Sequence, residues 1–320
     1  MSSSTTPRSR GHARGARLRL HRYRRALALL LVLFATELMW RTGAFAHTRS
    51  HVNSRTVASV GHRTGPAQHT GPAPHTGQGS EAVTTPTGPP VAVSQGAQTE
   101  LDKLISLGYP VCRGAGIKPL VALTFDDGPG PYTQHTVEVL KAAGVKATFF
   151  IVAKELIGWP QLADEPKVEA TVGAIGDHTY DHIGLVGLSP ENLAHQIGDA
   201  KTLIEQHSGQ TVRLFRPPYG QHDAAVDAEV KSLGMLEVLW TVDSGDGITG
   251  ATEESVLQTV EEHLAPGAIV LMHENRGTTQ KILPELLSYI SSRGLQTVTV
   301  PELLAEDPPS LAQLKSQSCG

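Results

Sequence analysis

The sequence predicts an α/β fold in which helices cover a parallel sheet. Short apolar runs alternate with amphipathic helical patterns about seven times after Lys118. Ionisable side chains directly follow five of the strand-like runs. Because the C-terminal ends of parallel strands meet at one edge of the sheet, where such folds place their chemistry, the pattern indicates a single functional rim.

The first strand-like run, Leu120–Phe125, ends in two adjacent carboxylates and a Gly-Pro turn. Its apolar, β-branched composition predicts a buried strand whose C-terminal tip carries acids. Further runs of the same kind complete the predicted sheet, namely Lys146–Val152, Val172–Gly176, Val212–Phe215, Leu236–Val242, Ala268–Met272 and Leu295–Val300.

Helical patterns lie between these runs. Ser189 is a typical helix cap with Pro190 in the first turn, and Arg293-Gly294 is a typical helix end. A short helix or turn is expected at Leu101–Gly108. The longer predicted helices are Thr133–Ala143, Pro190 to about Gln206, Ala224–Leu233, Glu253–Leu264 and Lys281–Ser292.

Residues 1–46 are predicted to be a signal peptide or a membrane anchor. Eight arginines and no acid within residues 1–25 precede an apolar run at Ala26–Trp40, and Ala44-Phe45-Ala46 fits a cleavage site. The run is shorter than the roughly 20 residues of a membrane span, which favours a cleaved signal over an uncleaved anchor. We therefore expect a protein that is secreted or held in the cell envelope.

Residues 47–98 are predicted to be a disordered linker. Thr, Gly, Pro and His dominate there, and large apolar residues vanish, so the segment cannot bury enough surface to offset its ordering entropy. Histidines in this stretch could bind a metal weakly, but they are interpreted as part of a solvated spacer: His47, His51, His62, His69 and His75. A globular domain is predicted to follow at residues 99–320.

Charge and cysteine usage narrow the class of protein. Cleavage after Ala46 would leave 18 basic and 30 acidic residues, a formal charge of −12, which gives no electrostatic reason to bind nucleic acid.

The two cysteines, Cys112 and Cys319, bracket the globular part. Outside the cell such a pair is more often bridged than free, so we predict a disulfide between them.

The adjacent acids Asp126 and Asp127 indicate a cation site, because neighbouring carboxylates repel unless a cation is supplied. His178 and His182 at helical spacing would face the same way and could share one ion, although such pairs also occur by chance on surface helices. With Asp127 on another strand end, they form the two-histidine, one-carboxylate pattern of catalytic zinc and similar ions. Asp126 is then either a turn cap or a general base.

Three further strand ends carry candidate residues. Arg216 is followed by Pro217-Pro218, which would stiffen the turn and fix the guanidinium, although a surface ion pair is the alternative. His273 follows an apolar run and would usually be a structural histidine. Asp243 on the neighbouring strand end could orient and charge His273, which suits a general acid.

Five motifs occur in the order Thr124-Phe125-Asp126-Asp127-Gly128, His178-Thr179-x-x-His182, Arg216-Pro217-Pro218-Tyr219, Asp243 with Trp240, and Leu271-x-His273. Together they resemble the polysaccharide deacetylases of carbohydrate esterase family 4, the NodB-homology domain. The resemblance spans about Leu120–Leu304, so residues 99–320 would be the catalytic domain, with a motif core at 118–305. It implies a distorted (β/α)7 barrel rather than a closed eightfold one.

The resemblance also implies a role for each residue. It implies one divalent ion, commonly zinc with cobalt, nickel or manganese as alternatives, held by Asp127, His178 and His182. It implies four catalytic residues, namely Asp126 as base, Arg216 orienting that base, His273 as acid and Asp243 tuning the acid. On the substrate side it implies the backbone N–H of Tyr219 at the oxyanion, Leu271 at the acetyl pocket and Trp240 beside it.

Two departures from the family pattern concern the surroundings of the site. The family often has Asp-Trp a few residues after the Asp243 position, whereas here Asp246 is followed by Gly247, which changes the wall of the acetyl pocket. The family also often has Asn before the first ligand histidine, whereas here it is Asp177. We expect this extra acid to raise the local negative charge and favour cation binding.

The predicted function is the metal-dependent removal of N-acetyl groups from a peptidoglycan or chitin-type glycan by a monomeric enzyme. One alternative is the same machinery acting on O-acetyl esters, as in xylan. A second, from another class, is a catalytically silent glycan-binding module, which would be expected to lack at least one of Asp126, Asp127, His178, His182 and His273.

Overall fold

A computed structural model of the chain describes residues 88–319. The predicted signal or anchor segment and the linker through residue 87, with its histidines, lie outside the described residues. None of the helices in the part that is described is long and apolar enough to cross a membrane.

The folded domain begins ahead of the predicted boundary between residues 98 and 99. Helix α1 spans Gln95–Leu107 and buries Ala97 and Leu101, so the last residues assigned to the linker are helical. Before it, the backbone N–H of Val91 donates to the carbonyl of Ala170 at 2.6 Å. The linker boundary was wrong because the polar composition of this stretch hid one apolar helix face.

The core of the domain is a curled sheet of eight strands, in which every pairing between named strands is parallel. The order is β5-β4-β3-β2-β1-β7-β6, and β8 pairs with the start of β1. This arrangement confirms the predicted distorted (β/α)7 barrel. The strands are β1 Leu120–Gly128, β2 Ala147–Ile151, β3 Gly173–Asp177, β4 Leu214–Phe215, β5 Leu236–Glu237, β6 Val242–Asp243, β7 Ile269–His273 and β8 Gln296–Thr297.

Helices cover the sheet much as expected, and Ser189 caps its helix by accepting from the N–H of Asn192. That helix continues through a widened π turn at Ala194–Asp199. The remaining helices are α2 Thr133–Ala143, α3 Ala153–Gly158, α4 Glu165–Glu169, α5 Pro190–Leu193, α6 Ala200–Ser208, α7 Ala224–Ser232, α8 Glu253–His263, α9 Gly277–Ser292, α10 Val300–Glu306 and α11 Leu311–Ser316, with 3-10 turns at Pro160–Leu162 and Pro218–Gly220.

One predicted strand, Leu236–Val242, is divided into β5 and β6, which lie at opposite ends of the strand order. The backbone between them finds partners outside the sheet ladder. The N–H of Leu239 donates to the carbonyl of Val111 at 2.8 Å, and the Val238 carbonyl accepts from the side chain of Arg216 at 3.0 Å. The apolar run therefore reflects burial, not a continuous strand.

Strand β1 is buried on both faces, which explains its unbroken apolar sequence. Val121, Leu123 and Phe125 belong to one hydrophobic cluster, between the sheet and most of the helices. Leu120 and Ala122 belong to a second cluster on the other face, with residues of α1 and α10. The central strand and the acids at its end are thereby held by packing from two sides.

The predicted disulfide between Cys112 and Cys319 is present, with 5.6 Å between the two Cα atoms. Cys112 is fully buried, and the bridge closes a sequence separation of 207 residues. It ties the C-terminal tail to the segment that leads into the sheet.

Replacing both cysteines with serine should lower the free energy of unfolding by about 2–5 kcal/mol, because the bridge restricts the unfolded chain. In a thermal melt this corresponds to a Tm lower by about 5 °C or more. The wild-type protein in a reducing buffer is the matched control and should melt like the variant. Equal Tm values for the oxidised wild type and the variant would contradict a stabilising bridge.

Candidate active site

The candidate residues gather at the C-terminal edge of the sheet, as the rim pattern predicts. Asp126 lies opposite His273 where β1 pairs with β7, and Asp177 lies opposite Phe215, the residue before Arg216. Because all these strands are parallel and in register, five ends that are distant in sequence meet around one position.

Asp127, His178 and His182 form a compact cluster. The Oδ1 atom of Asp127 lies 3.2 Å from Nε2 of His182 and 3.7 Å from Nε2 of His178. The two imidazole centroids are 4.9 Å apart. One ligand atom from each of the three residues lies within 4.8 Å of the others, close enough for all three to reach one ion.

The two histidines do not lie on a helix, so the interpretation of their spacing was wrong. They lie on the loop after β3, where Thr179 and His182 have φ values of 73° and 58°. The Thr179 N–H donates to Oδ1 of Asp177 at 2.7 Å, and its hydroxyl accepts from the N–H of His182 at 3.0 Å. These hydrogen bonds fold the loop tightly enough to turn both rings toward Asp127.

The cluster fits a divalent metal ion. Nδ1 of His178 lies 2.7 Å from the Arg216 carbonyl, an acceptor only, so Nδ1 carries the proton and Nε2 presents its lone pair to Asp127. Oδ1 of Asp127 is buried and has no hydrogen-bond partner within residues 88–319. A prepared imidazole beside an unsatisfied carboxylate oxygen is the donor set that zinc and similar ions use.

Burial works against the extra negative charge that the sequence predicts at Asp177. Its side chain is fully buried, and burial raises its pKa well above the ordinary value, although the hydrogen bond from Thr179 opposes this. Burial thus disfavours the charged form. The residue instead holds the loop that carries the two histidines.

Asp126 is held by an ion pair with Arg216, whose side chain is fully buried. Nη1 of Arg216 donates to Oδ1 of Asp126 and to Oγ1 of Thr124, both at 2.7 Å. Its Nε and Nη2 donate to the carbonyls of Val238 and Leu239. Total burial excludes the surface ion pair weighed above, and the shared guanidinium fixes Asp126 facing the cluster.

The residue that pairs with His273 is Asp246, not Asp243. Oδ1 of Asp246 lies 2.7 Å from Nδ1 of His273, and its Oδ2 accepts the backbone N–H of His273 at 2.7 Å. Asp243 is exposed, and its Oδ1 accepts the N–H of Gly245 at 2.8 Å. The chain turns back at Gly245, where φ is 73°, and this turn brings the later aspartate to the imidazole.

The surroundings of His273 favour the charged form of its imidazole. Burial opposes a charge on the ring, but the hydrogen bond with Asp246 and the charges of Asp246, Asp126 and Asp127 outweigh it and raise the pKa of His273 from 6.5 to about 9. At neutral pH the imidazole therefore carries a proton that it can donate. Nδ1 is bound to Asp246, so Nε2 is the nitrogen available to a substrate.

The predicted substrate-side residues are Trp240, Leu271 and Tyr219. Trp240 is buried with its ring 5.5 Å from the Arg216 guanidinium, and Leu271 is buried on β7, two residues before His273. Tyr219 is 65 % exposed with φ of 61°, and its ring centroid lies 5.1 Å from that of His182. Its role at the oxyanion stays a prediction.

Gly247 lies close to the imidazole of His273. A Cβ atom at this position would lie 3.1 Å from Cε1 of His273, so any side chain there would press against the ring. The glycine at this position therefore spares the ring of His273 a close side-chain contact.

Some residues at the site were not found from the sequence. Asn275 lies near Asp127, with 3.4 Å between Nδ2 and Oδ2, and Trp159 is 55 % exposed in a cleft of about 600 Å³ that Asp127 and His182 also line. Asp246 could have been found as a second acid three residues after Asp243. Trp159 follows no motif and only the folded chain brings it near.

Known proteins resemble this chain in sequence and in fold. The polysaccharide deacetylase family profile matches residues 113–238. A peptidoglycan-N-acetylglucosamine deacetylase of Bacillus cereus is 32% identical over 203 residues, covering 62% of this chain and 93% of that protein. One of Listeria monocytogenes is 33% identical over 205 residues, covering 63% of this chain but only 42% of the longer relative. A solved family 4 pseudoenzyme from Bacillus anthracis has a TM-score of 0.57 at 30% identity, covering 63% of this chain and 70% of its own.

The fold and these matches thus define the class of protein to which the chain belongs. The chain belongs to the polysaccharide deacetylase family, carbohydrate esterase family 4.

The Asp246–His273 pair can be tested by NMR titration of the His273 ring in chelator. Asp246→Asn should lower the pKa of His273 by about one unit or more, because it removes the negative partner of the imidazolium. Asp243→Asn is the matched control and should leave that pKa unchanged. A larger shift in Asp243→Asn than in Asp246→Asn would reverse the assignment.

Proposed function

We propose that this protein is a metal-dependent hydrolase that removes N-acetyl groups from a polysaccharide. One observation carries the proposal: a cluster of side chains that can hold a metal ion lies beside a carboxylate held by arginine, and this carboxylate is paired across the sheet with an imidazole whose pKa is raised. Oδ2 of Asp126 is 3.7 Å from Nε2 of His178, while His273 is next to Asp126 across the strand pairing. A base, a cation site and an acid around one position suit hydrolysis of an acyl bond.

Asp127, His178 and His182 would hold the ion. When bound, a divalent cation supplies Lewis acidity, polarising an acetyl carbonyl and lowering the pKa of water beside it. The identity of the ion is open among zinc, cobalt, nickel and manganese, since imidazole and carboxylate ligands accept several of them.

The side chains on each side then move the protons. Asp126 accepts a proton from the attacking water, and Arg216 keeps its carboxylate aimed at that position. The oxygen of that water bonds to the acetyl carbon, and the carbon–nitrogen bond breaks. His273 gives its proton to the leaving nitrogen, so the products are acetate and a free amino sugar. No bond between protein and substrate is needed.

The protonated state of His273 favours an amide over an ester. A leaving amine needs a proton, whereas a leaving alkoxide needs less help. With a pKa of about 9, His273 stays charged at neutral pH and meets that need. This supports N-deacetylation over the alternative of O-acetyl removal from xylan.

A cell-wall glycan is the substrate that we favour. Relatives from Bacillus cereus and Listeria monocytogenes are described as peptidoglycan-N-acetylglucosamine deacetylases, and a Cryptococcus neoformans relative as a chitin deacetylase. The exposed ring of Trp159 beside the cluster offers a flat surface against which a sugar could stack. The secretory pattern of residues 1–46 fits an enzyme that works outside the cell or in its envelope.

The silent-module alternative remains relevant because the Bacillus anthracis relative is a pseudoenzyme. It predicts the loss of at least one group needed for hydrolysis. All five such groups are present in this chain: Asp126, Asp127, His178, His182 and His273. Their convergence at one edge of the sheet supports an active enzyme.

Two substitutions separate the ligand from the base. Asp127→Ala should lose one equivalent of bound metal relative to the wild type, because it removes a ligand. Asp126→Asn should keep that metal and lower kcat by about 10²- to 10⁴-fold, since the neutral amide cannot accept a proton. Metal analysis and acetate release measure the two effects, and a near-normal kcat for Asp126→Asn would refute the base assignment.

A substrate panel tests the proposed reaction. Acetate release from peptidoglycan, chitooligosaccharides and acetylxylan should be highest on one of the first two, and a chelator should abolish it. His273→Ala should reduce amide hydrolysis more than any hydrolysis of acetylxylan, because the amine needs the proton. Release from acetylxylan alone would replace the proposal with an esterase, and no release from any substrate would favour the silent module.

A further inference from the structure

A second group of metal-ligating side chains lies outside the candidate active site. His222 is on the loop that follows Tyr219, Asp227 is in helix α7, and Glu237 ends strand β5. One ligand atom from each lies within 4.8 Å of the others. The group thus joins a loop, a helix and a strand at one point.

The distances within this group are close to those of a metal site. Nδ1 of His222 lies 2.7 Å from Oδ1 of Asp227 and 3.2 Å from Oε1 of Glu237. Ligands bound at about 2.0–2.1 Å in a tetrahedron stand about 3.3 Å apart. Small side-chain movements would therefore be enough to admit an ion.

Glu237 is the observation that points to a missing ligand. Its side chain is 5% exposed, and neither of its carboxylate oxygens is hydrogen-bonded within the described part of the chain. Nδ1 of His222 can donate only one hydrogen, and the closer Asp227 takes it. A buried carboxylate without a donor is costly unless it gains a proton or a cation.

The two possibilities are a proton on Glu237 and a metal ion bound beside it. Burial, followed by the negative charge of Asp227, raises the pKa of Glu237 to about 8. Without a metal, Glu237 would carry a proton and could share it with Asp227. With a metal, two carboxylates and one imidazole would satisfy the ion and leave room for water, because His222 and Asp227 are partly exposed.

We propose that His222, Asp227 and Glu237 bind a second divalent cation of the zinc type. Its role is to position the loop between β4 and α7. Glu237 lies opposite Phe215 in the sheet, and Phe215 directly precedes Arg216. Tyr219 lies three residues before His222. An ion here would connect this loop to β5.

Zinc content of the full chain tests the proposal, measured after equilibrium dialysis against free zinc. The wild type should bind two equivalents, Asp127→Ala one, Glu237→Gln one, and the double variant none at these sites. Glu237→Gln keeps the size of the side chain and removes its charge. Weak binding by the histidines of residues 47–98 is the same in all four proteins. It therefore cancels when the zinc content of one protein is subtracted from that of another.

A thermal melt gives a second, independent readout. In the Asp127→Ala background, zinc at about 100 times its Kd should raise Tm by about 5 °C or more, and adding His222→Gln should remove that rise. Melts in chelator establish that each variant folds. If the Glu237 or the His222 variant does not fold, Asp227→Asn replaces it, because the side chain of Asp227 is partly exposed.

Equal zinc content in Asp127→Ala and in its double variant with Glu237→Gln would overturn the proposal, as would no specific zinc in Asp127→Ala. Either result would leave the proton-sharing arrangement in its place. Neither measurement uses a substrate, so the outcome is independent of whether the protein proves to be a deacetylase.

Discussion

The buried side chain of Arg216 is the interaction on which the candidate site depends. Its guanidinium donates to Asp126, to Thr124 and to two carbonyls of the segment between β5 and β6. Its own carbonyl accepts the Nδ1 proton of His178. One residue therefore orients the proposed base and fixes the tautomer of a proposed metal ligand, and the ring of Phe150 covers it at 4.2 Å.

A charge buried so completely needs its partner. Removing Arg216 would leave Asp126 unpaired in the core, and removing Asp126 would leave the guanidinium without its counter-ion. The packing of β1 on both faces keeps the pair away from water. This strengthens the interaction, but it also makes the loss of either partner more destabilising. The site thus gains a rigid base at the cost of a buried ion pair that both partners must satisfy.

Backbone strain is concentrated at the same place. Within residues 88–319 the non-glycine residues with positive φ are Asp127, Thr179, His182 and Tyr219. All of them are site residues or hold one in place, and none has the glycine freedom that makes this conformation easy. Such strain persists where the surrounding structure fixes it, as the hydrogen bonds of Asp177 and Thr179 do for Thr179 and His182.

The sequence by itself determined the parallel α/β architecture, the rim of ionisable residues, and the cysteine bridge. Strand ends and motif residues are local features, and two cysteines allow only one intramolecular pair. Only the tertiary structure decided that Asp246 and not Asp243 holds His273, that a loop and not a helix presents the histidines, and that Leu236–Val242 divides between two ends of the sheet. Each of these depends on how the backbone turns after a strand and which distant partners satisfy it, and neither periodicity nor residue spacing contains that information.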